Sequence, residues 1–149
     1  MTVLDIARVN VVTVDPEASV ADVVRTMHEK TVGSVVVTDG DVPVGYVTDR
    51  DLAMNVLDEQ FDAEGTPIHE QLDEELVTID ADAGVYDLVE LLSERGIRRV
   101  PVVDDGELAG IVSISDIVVL LGMELQHLAT AIRSSSPAYE RSGPDYYQQ

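Results

Sequence analysis

The sequence contains no cysteine and no tryptophan, and Phe61 is its one phenylalanine. Without cysteine there are no disulfides and no thiolate metal sites, which fits an intracellular protein. With so few large aromatics, the core has to be aliphatic, built from Val, Leu and Ile. Positive charge is equally scarce: 9 Lys and Arg stand against 29 Asp and Glu, the net charge is −20, and Lys30 is the sole lysine. This excludes nucleic acid as a partner, because binding a phosphate backbone requires a basic face. The acidic residues are spread over every segment rather than gathered in a tail. Together with the scarcity of lysine they imply a haloarchaeal-like, halophilic host whose salt screens self-repulsion; an unusually acidic mesophile protein is the alternative. No run of apolar residues reaches membrane-spanning length, and no basic-then-apolar leader opens the chain. The expectation is a soluble, cytoplasmic protein with no membrane contact.

What the sequence does have is an internal repeat at a constant offset of 65 residues. Val12-Thr13-Val14-Asp15 returns as Val77-Thr78-Ile79-Asp80, and Gly45-Tyr46-Val47-Thr48-Asp49-Arg50-Asp51 returns as Gly110-Ile111-Val112-Ser113-Ile114-Ser115-Asp116. Each copy reads strand, helix, strand, strand, helix. Val11 to Val14 forms a short strand, and Ser19 caps a helix whose apolar face is Val20, Val23, Val24 and Met27. Val85, Leu88, Val89 and Leu92 repeat that face. Ser34 to Thr38 and Val42 to Thr48 form a hairpin about Asp39-Gly40-Asp41; Arg99 to Val103 and Leu108 to Ser113 do so about Asp104-Asp105-Gly106. Further helices start near Asp49 and Ile114. A copy of about 50 to 60 residues cannot bury its helices alone, so the two must share a core.

The organisation expected is a first repeat over 1–60, a linker over 61–67, a second repeat over 68–133 with an extended last helix, and a mobile tail over 134–149. The last helix continues an apolar stripe through Ile117, Leu120, Leu121, Leu125, Leu128 and Ile132. That stripe either covers a sheet edge or meets a second chain.

These residues resemble a tandem pair of CBS domains, a Bateman module, over about residues 3 to 125. The resemblance is carried by the two G-h-x-[ST]-x-x-D segments, by Val100-Pro101-Val102, by the Thr13-to-Pro16 opening and by the lead-in Val3-Leu4-Asp5-Ile6-Ala7. The second copy is similar to the last CBS repeat of the AMP-activated protein kinase γ subunit. The resemblance implies an α+β fold of two βαββα units packed sheet to sheet about a pseudo-twofold axis. It also implies two clefts for adenosine-containing ligands (AMP, ADP, ATP, or S-adenosylmethionine) and pairing of two modules into a homodimeric disc.

The residue chemistry suits that reading, and each feature also has a plainer account. Asp51 and Asp116 fall in the first turn of a helix, where a carboxylate can accept both hydroxyls of a ribose or merely cap the helix. Thr48 and Ser113 supply hydroxyls to ribose or α-phosphate beside free helix N–H groups. Arg98 and Arg99 point to opposite faces of a strand, so one can enter a cleft and meet phosphate; the alternative is a surface ion pair. Gly33 and Ser34 stand at their place in the first copy, which predicts unequal clefts. Arg50 can reach a phosphate or pair on the helix surface, and Ser115 replaces it in the second copy. By resemblance Val9, Asn10, Val11 and Val12, with Leu76 and Val77, flank the adenine, and Thr13, Thr78 and Pro101 complete the clefts.

No catalytic constellation competes. His28, His69 and His127 are far apart, no metal spacing occurs, and no nucleophile motif, phosphate loop or dinucleotide fingerprint is present. The expectation is therefore a non-enzymatic sensor that needs no cofactor and takes an adenosyl ligand. It would regulate a partner protein or its own assembly. An S-adenosylmethionine module, or an interaction protein with unoccupied clefts, is the alternative.

Overall fold

The structure, a computed structural model, describes residues 1–56, 60–72 and 75–135. The chain is α+β, with two three-stranded sheets and four helices. The first copy gives β1 (Thr13–Val14), α1 (Val20–Lys30), β2 (Ser34–Asp39), β3 (Val42–Thr48) and α2 (Asp49–Val56). After a 3-10 turn at Ile68–Gln71, the second gives β4 (Ile79–Asp80), α3 (Val85–Arg95), β5 (Arg99–Asp104), β6 (Glu107–Ser113) and α4 (Ile114–Ser135). In each sheet the short first strand runs parallel to the second, and the second and third form an antiparallel hairpin. The registers repeat at the sequence offset, Val14 facing Val37 and Ile79 facing Val102. Both hairpins slip register at equivalent places, after Val37 and after Val102. The second turns through Asp105 and Gly106, both at positive φ, a two-residue geometry that follows the twist of the strands.

Ser19 caps α1, its hydroxyl accepting the Asp22 N–H at 3.0 Å. The predicted helix faces are narrower than their apolar residues. Val20, Val23 and Met27 are buried, as are Leu88 and Leu92, whereas Val24 and Val89 are exposed. The first strand is also shorter than Val11 to Val14, because ladder pairing starts at Thr13.

The cores do not follow the order of the chain. Val3 is fully buried among Ile79, Leu88, Val100, Val102 and Val112, all from the second copy. Its N–H donates to the Ala83 carbonyl at 2.8 Å. Ile68, 65 residues later, is fully buried among Val20, Val23, Val35, Val37 and Val47 of the first copy, and its N–H donates to the Ala18 carbonyl at 2.8 Å. Each copy's lead-in therefore completes the other copy's core. The stretch expected as linker takes part in this exchange: Val20 and Ala21 donate to the carbonyls of Thr66 and Ala63, both at 2.9 Å. A further tie joins the hairpins, Leu108 N–H to the Asp41 carbonyl at 2.8 Å.

The chain divides into a body, Met1–Ile117, and a separate unit starting at Val118. In that second unit α4 continues to Ser135, two residues into the stretch expected as tail; residues 136–149 lie outside the described set. At 22 residues and a mean hydropathy of 1.2, α4 is long and apolar enough to cross a membrane by length and composition. This corrects the expectation that no segment reaches that length. Gln126, His127 and Thr130 interrupt the apolar run without lowering its average enough.

Ile68 opens the predicted second repeat yet belongs to the core of the first. Ile68→Ala should cost about 2–5 kcal/mol in urea unfolding, as deletion of a buried aliphatic side chain does. Val24→Ala, on the predicted apolar face, should stay within about 0.5 kcal/mol of wild type. Equal losses at both positions would refute the exchanged core.

Candidate functional site

The lead-in exchange shapes a cleft in the body. Past Val3 the chain reaches β6, where Arg8 and Ile111 exchange backbone hydrogen bonds of 2.9 and 3.0 Å. The Arg8 carbonyl lies 3.0 Å from where a Cβ on Gly110 would sit, which is why the second motif opens on glycine. Beside this crossing is a cavity of about 310 Å³ between the two copies. Its walls come from Arg8, from Asn10 to Val12, from Thr31 to Val36 and from Arg99, Ile111, Val112, Ser113 and Asp116. That volume falls at the lower end of small-molecule sites.

Asp116 is the organising side chain. Its Oδ2 accepts the Ser113 N–H at 2.8 Å and the Ser113 hydroxyl at 2.6 Å, and its own N–H donates to Ser113 Oγ at 3.4 Å. Arg8 Nε donates to its Oδ1 at 3.1 Å. Burial of the carboxyl pushes its pKa up. The Ser113 hydroxyl, the Ser113 N–H and the Arg8 guanidinium outweigh that, and the net shift is below the ordinary carboxylate value. Asp116 is thus held ionised. The capping account is realised, and it coexists with a cleft position: a carboxylate offers about four acceptor directions, and Ser113 uses one side of it.

Arg99 crosses from the second copy, its Nη1 donating to Ser34 Oγ at 3.2 Å. Of the two adjacent arginines it is the one that lines the cleft; Arg98 contributes its carbonyl, which accepts the Ile114 N–H at 3.0 Å. Thr31 also lines the cleft, in a left-handed conformation (φ 55°) uncommon for a β-branched residue; the second copy has Gly96 there.

A smaller cavity of about 110 Å³ occupies the pseudosymmetric place, lined by Gly45, Tyr46, Glu75, Leu76, Val77, Ile97, Arg99 and Pro101. The Leu72 side chain presses on Gly45 where the smaller Ala7 presses on Gly110. Thr48 and Asp51 form the same cap as Ser113 and Asp116, with Thr48 N–H to Asp51 Oδ2 at 3.0 Å and Asp51 N–H to Thr48 Oγ1 at 3.1 Å. Asp51 is exposed, however, and neither it nor Thr48 lines either cavity.

The candidate residues therefore divide. Asn10, Val11, Gly33, Ser34, Arg99, Ser113 and Asp116 come together in the larger cavity, and Leu76, Arg99 and Pro101 in the smaller. Val9, Thr13, Thr48, Arg50, Asp51, Thr78, Arg98 and Ser115 line neither. Val9 is turned to solvent, and the Arg50 N–H is spent on the neighbouring Asp49 carboxylate at 2.8 Å. Arg8, Thr31 and Ile111 were not foreseen. The signal for Arg8 was its isolation: no other basic residue precedes Arg25.

This arrangement has counterparts. The sequence profile of the CBS domain matches residues 3–58 and 70–122, and the chain belongs to the CBS domain family, with two copies in tandem. An uncharacterized protein of Methanopyrus kandleri, MK0525, is 34% identical over 120 residues; the match covers 79% of this chain and 61% of that relative, so the chain spans less than two thirds of its length. The CBS domain-containing protein YhcV of Bacillus subtilis is 32% identical over 118 residues, covering 79% of this chain and 84% of YhcV. Among solved structures, the CBS domain pair of MJ0100 in complex with 5′-methylthioadenosine and S-adenosyl-L-methionine superposes with a TM-score of 0.72 at 25% identity, covering 83% of this chain and 98% of that one. Hypoxic response protein I with two coordinated zinc ions gives a TM-score of 0.71 at 28% identity, covering 79% and 97%. Among the described residues of this chain, no three His, Cys, Asp or Glu side chains gather into a metal-holding group. CBS-domain proteins are in general regulatory rather than catalytic.

The depressed pKa of Asp116 fixes a sign. A carboxyl more acidic in the folded than the unfolded chain stabilises the fold above its unfolded pKa of about 3.9, and that stabilisation is lost as pH falls through the folded value. Asp116→Asn should therefore unfold with a shallower acid dependence below about pH 4 than wild type, read by circular dichroism. Identical acid profiles would show that the Ser113 and Arg8 contacts do not bias its ionisation.

Proposed function

We propose that this CBS pair is a regulatory module that senses an adenosine nucleotide, AMP, ADP or ATP, bound in the larger cavity. The observation that carries this reading is Asp116 at the cavity wall, ionised and tied to Arg8, with Arg99 entering from the other copy. The ligand's ribose diol donates to Asp116 Oδ1 in place of Arg8 Nε. Arg8, 71% exposed on its side chain, is then free to swing with its charge onto the phosphate, and Arg99 meets the same anion. The apolar walls, Val11, Val12, Val32 and Ile111, take the adenine.

The two cavities differ in charge: Arg8 and Arg99 accompany one carboxylate, Asp116, in the larger, whereas Arg99 alone accompanies Glu75 in the smaller. Where the larger has Arg8 and Asn10, the offset places Asp73, a residue outside the described set, and Glu75 in the second copy. One nucleotide per chain follows. Differential binding then shifts how the copies sit against one another, and a protein partner, or the protein's own assembly, reads that shift. No histidine lines the cavity to activate the Ser113 hydroxyl, and we assign the site binding rather than catalysis. This reading puts the protein in the cytoplasm, in contact with the nucleotide pool.

A second reading rests on the MJ0100 complex and on Glu75: a cationic adenosyl compound such as S-adenosylmethionine in the smaller, more acidic cavity.

Calorimetry in molar KCl tests both. AMP or ATP should bind at one site per chain. Arg99→Ala should weaken ATP by roughly 10- to 100-fold while leaving adenosine nearly unchanged, since only the phosphate contact is removed. Binding of S-adenosylmethionine that AMP does not compete away would favour the second reading. No heat with any of these ligands would overturn both.

A further inference from the structure

Thr31 is held in a conformation that its side chain opposes. It ends α1 at φ 55° and ψ 46°, in the left-handed region, where a branched Cβ crowds the backbone. The helix end itself does not call for a threonine. Gly96 ends α3 in the same region, at φ 62° and ψ 28°. Both helices close alike: the Val32 N–H donates to the Met27 carbonyl at 3.0 Å, and the Ile97 N–H to the Leu92 carbonyl at 3.2 Å. A Cβ placed on Gly96 would meet nothing within 4 Å. The chain therefore holds a relaxed and a strained version of one turn at equivalent places.

Nothing within the fold offsets that strain. Thr31 is exposed, so packing does not hold it, and its hydroxyl has no hydrogen-bond partner among the described residues. What it has is a place on the wall of the larger cavity, whereas Gly96 lines neither cavity. Most polar side chains on that wall are already engaged: Arg8 and Ser113 hold Asp116, and Arg99 holds Ser34. Among the described residues of the wall, Asn10 and Thr31 keep polar side chains without a partner. The engaged set is charged or tied to a charge and belongs with sugar and phosphate. Thr31 instead adjoins Val32, on the wall that takes the base.

We propose that the Thr31 hydroxyl hydrogen-bonds the heterocycle of the ligand in the larger cavity, and that the strained turn is kept to present it there. This rests on the nucleotide reading above and adds a ligand contact to it. Calorimetry and thermal unfolding of the full chain in molar KCl test it. Thr31→Gly should raise the melting temperature by roughly 2–5 °C as the strain is relieved, and weaken AMP roughly 10-fold. Thr31→Val keeps the branched Cβ, so it should lose the same affinity without the gain in stability. Thr31→Ser should retain most of the affinity. The loss should be equal for adenosine, AMP and ATP, which share the base, whereas Arg99→Ala spares adenosine. Wild-type affinity in Thr31→Gly or Thr31→Val would overturn the assignment, and so would a Thr31→Gly protein that melts below wild type. A wild type that binds none of the three ligands would overturn the nucleotide reading itself, and this contact with it.

Discussion

The exchange of lead-in segments is the constraint on which the rest of the body depends. Val3 buried in the second copy and Ile68 buried in the first are symmetric events, 65 residues apart. Each contributes about 1.5–3 kcal/mol of apolar burial that neither copy could obtain alone. The exchange also routes the chain. Because Val3 is anchored beside Ala83, Arg8 must cross β6 at Ile111, and the crossing leaves its guanidinium at Asp116. The cleft is thus a by-product of core completion. A repeat that kept its own lead-in would have a core but no arginine at the carboxylate.

The same exchange explains which parts of the fold were legible in the sequence. Hairpins, helices and caps are local events, and local pattern located them: Ser19, the Asp104-Asp105-Gly106 turn, and the helix starts at Asp49 and Ile114 all lie where the residue chemistry puts them. Core membership is not local. Nothing in Val3-Leu4-Asp5-Ile6-Ala7 indicates that these residues leave the copy they precede, although the offset pairing Val3 with Ile68 was present as a clue. Arg8 was missed for the same reason. Its role depends on a crossing, and the motif that marks the crossing, Gly110, is read as a property of β6 until the Arg8 carbonyl is found beside it. Val24 and Val89 show the converse failure. Periodicity assigned them to a buried face, but a helix over a three-stranded sheet needs a narrower stripe.

Duplication supplied two equivalent places, and small substitutions made them unequal. Ala7 against Leu72 decides how much room remains beside each motif glycine. Ser34 against Arg99 places one cation where it borders both cavities. Asn10 against Glu75 leaves the larger cavity without a carboxylate besides Asp116 and gives the smaller one its own. Each change is modest; the first and third act in one direction, toward a roomier and less acidic first site, whereas Arg99 serves both.

In a chain this acidic, a cation's position carries more information than its presence. Most of the nine basic residues need no special account in so dense a field of carboxylates, and Arg25, for example, bridges Asp22 and Glu64 in solvent, where such pairs contribute little. Arg8 and Arg99 differ because each reaches across to the other copy, to a half-buried carboxylate and to a hydroxyl in a hollow. High salt weakens solvent-exposed attraction within about 3 Å at molar strength but screens partly buried pairs much less. Arg8 and Arg99 are themselves exposed, so what is recessed in each contact is the acceptor, Asp116 or Ser34, and it is the acceptors that fix where the two guanidinium groups stand at the cleft.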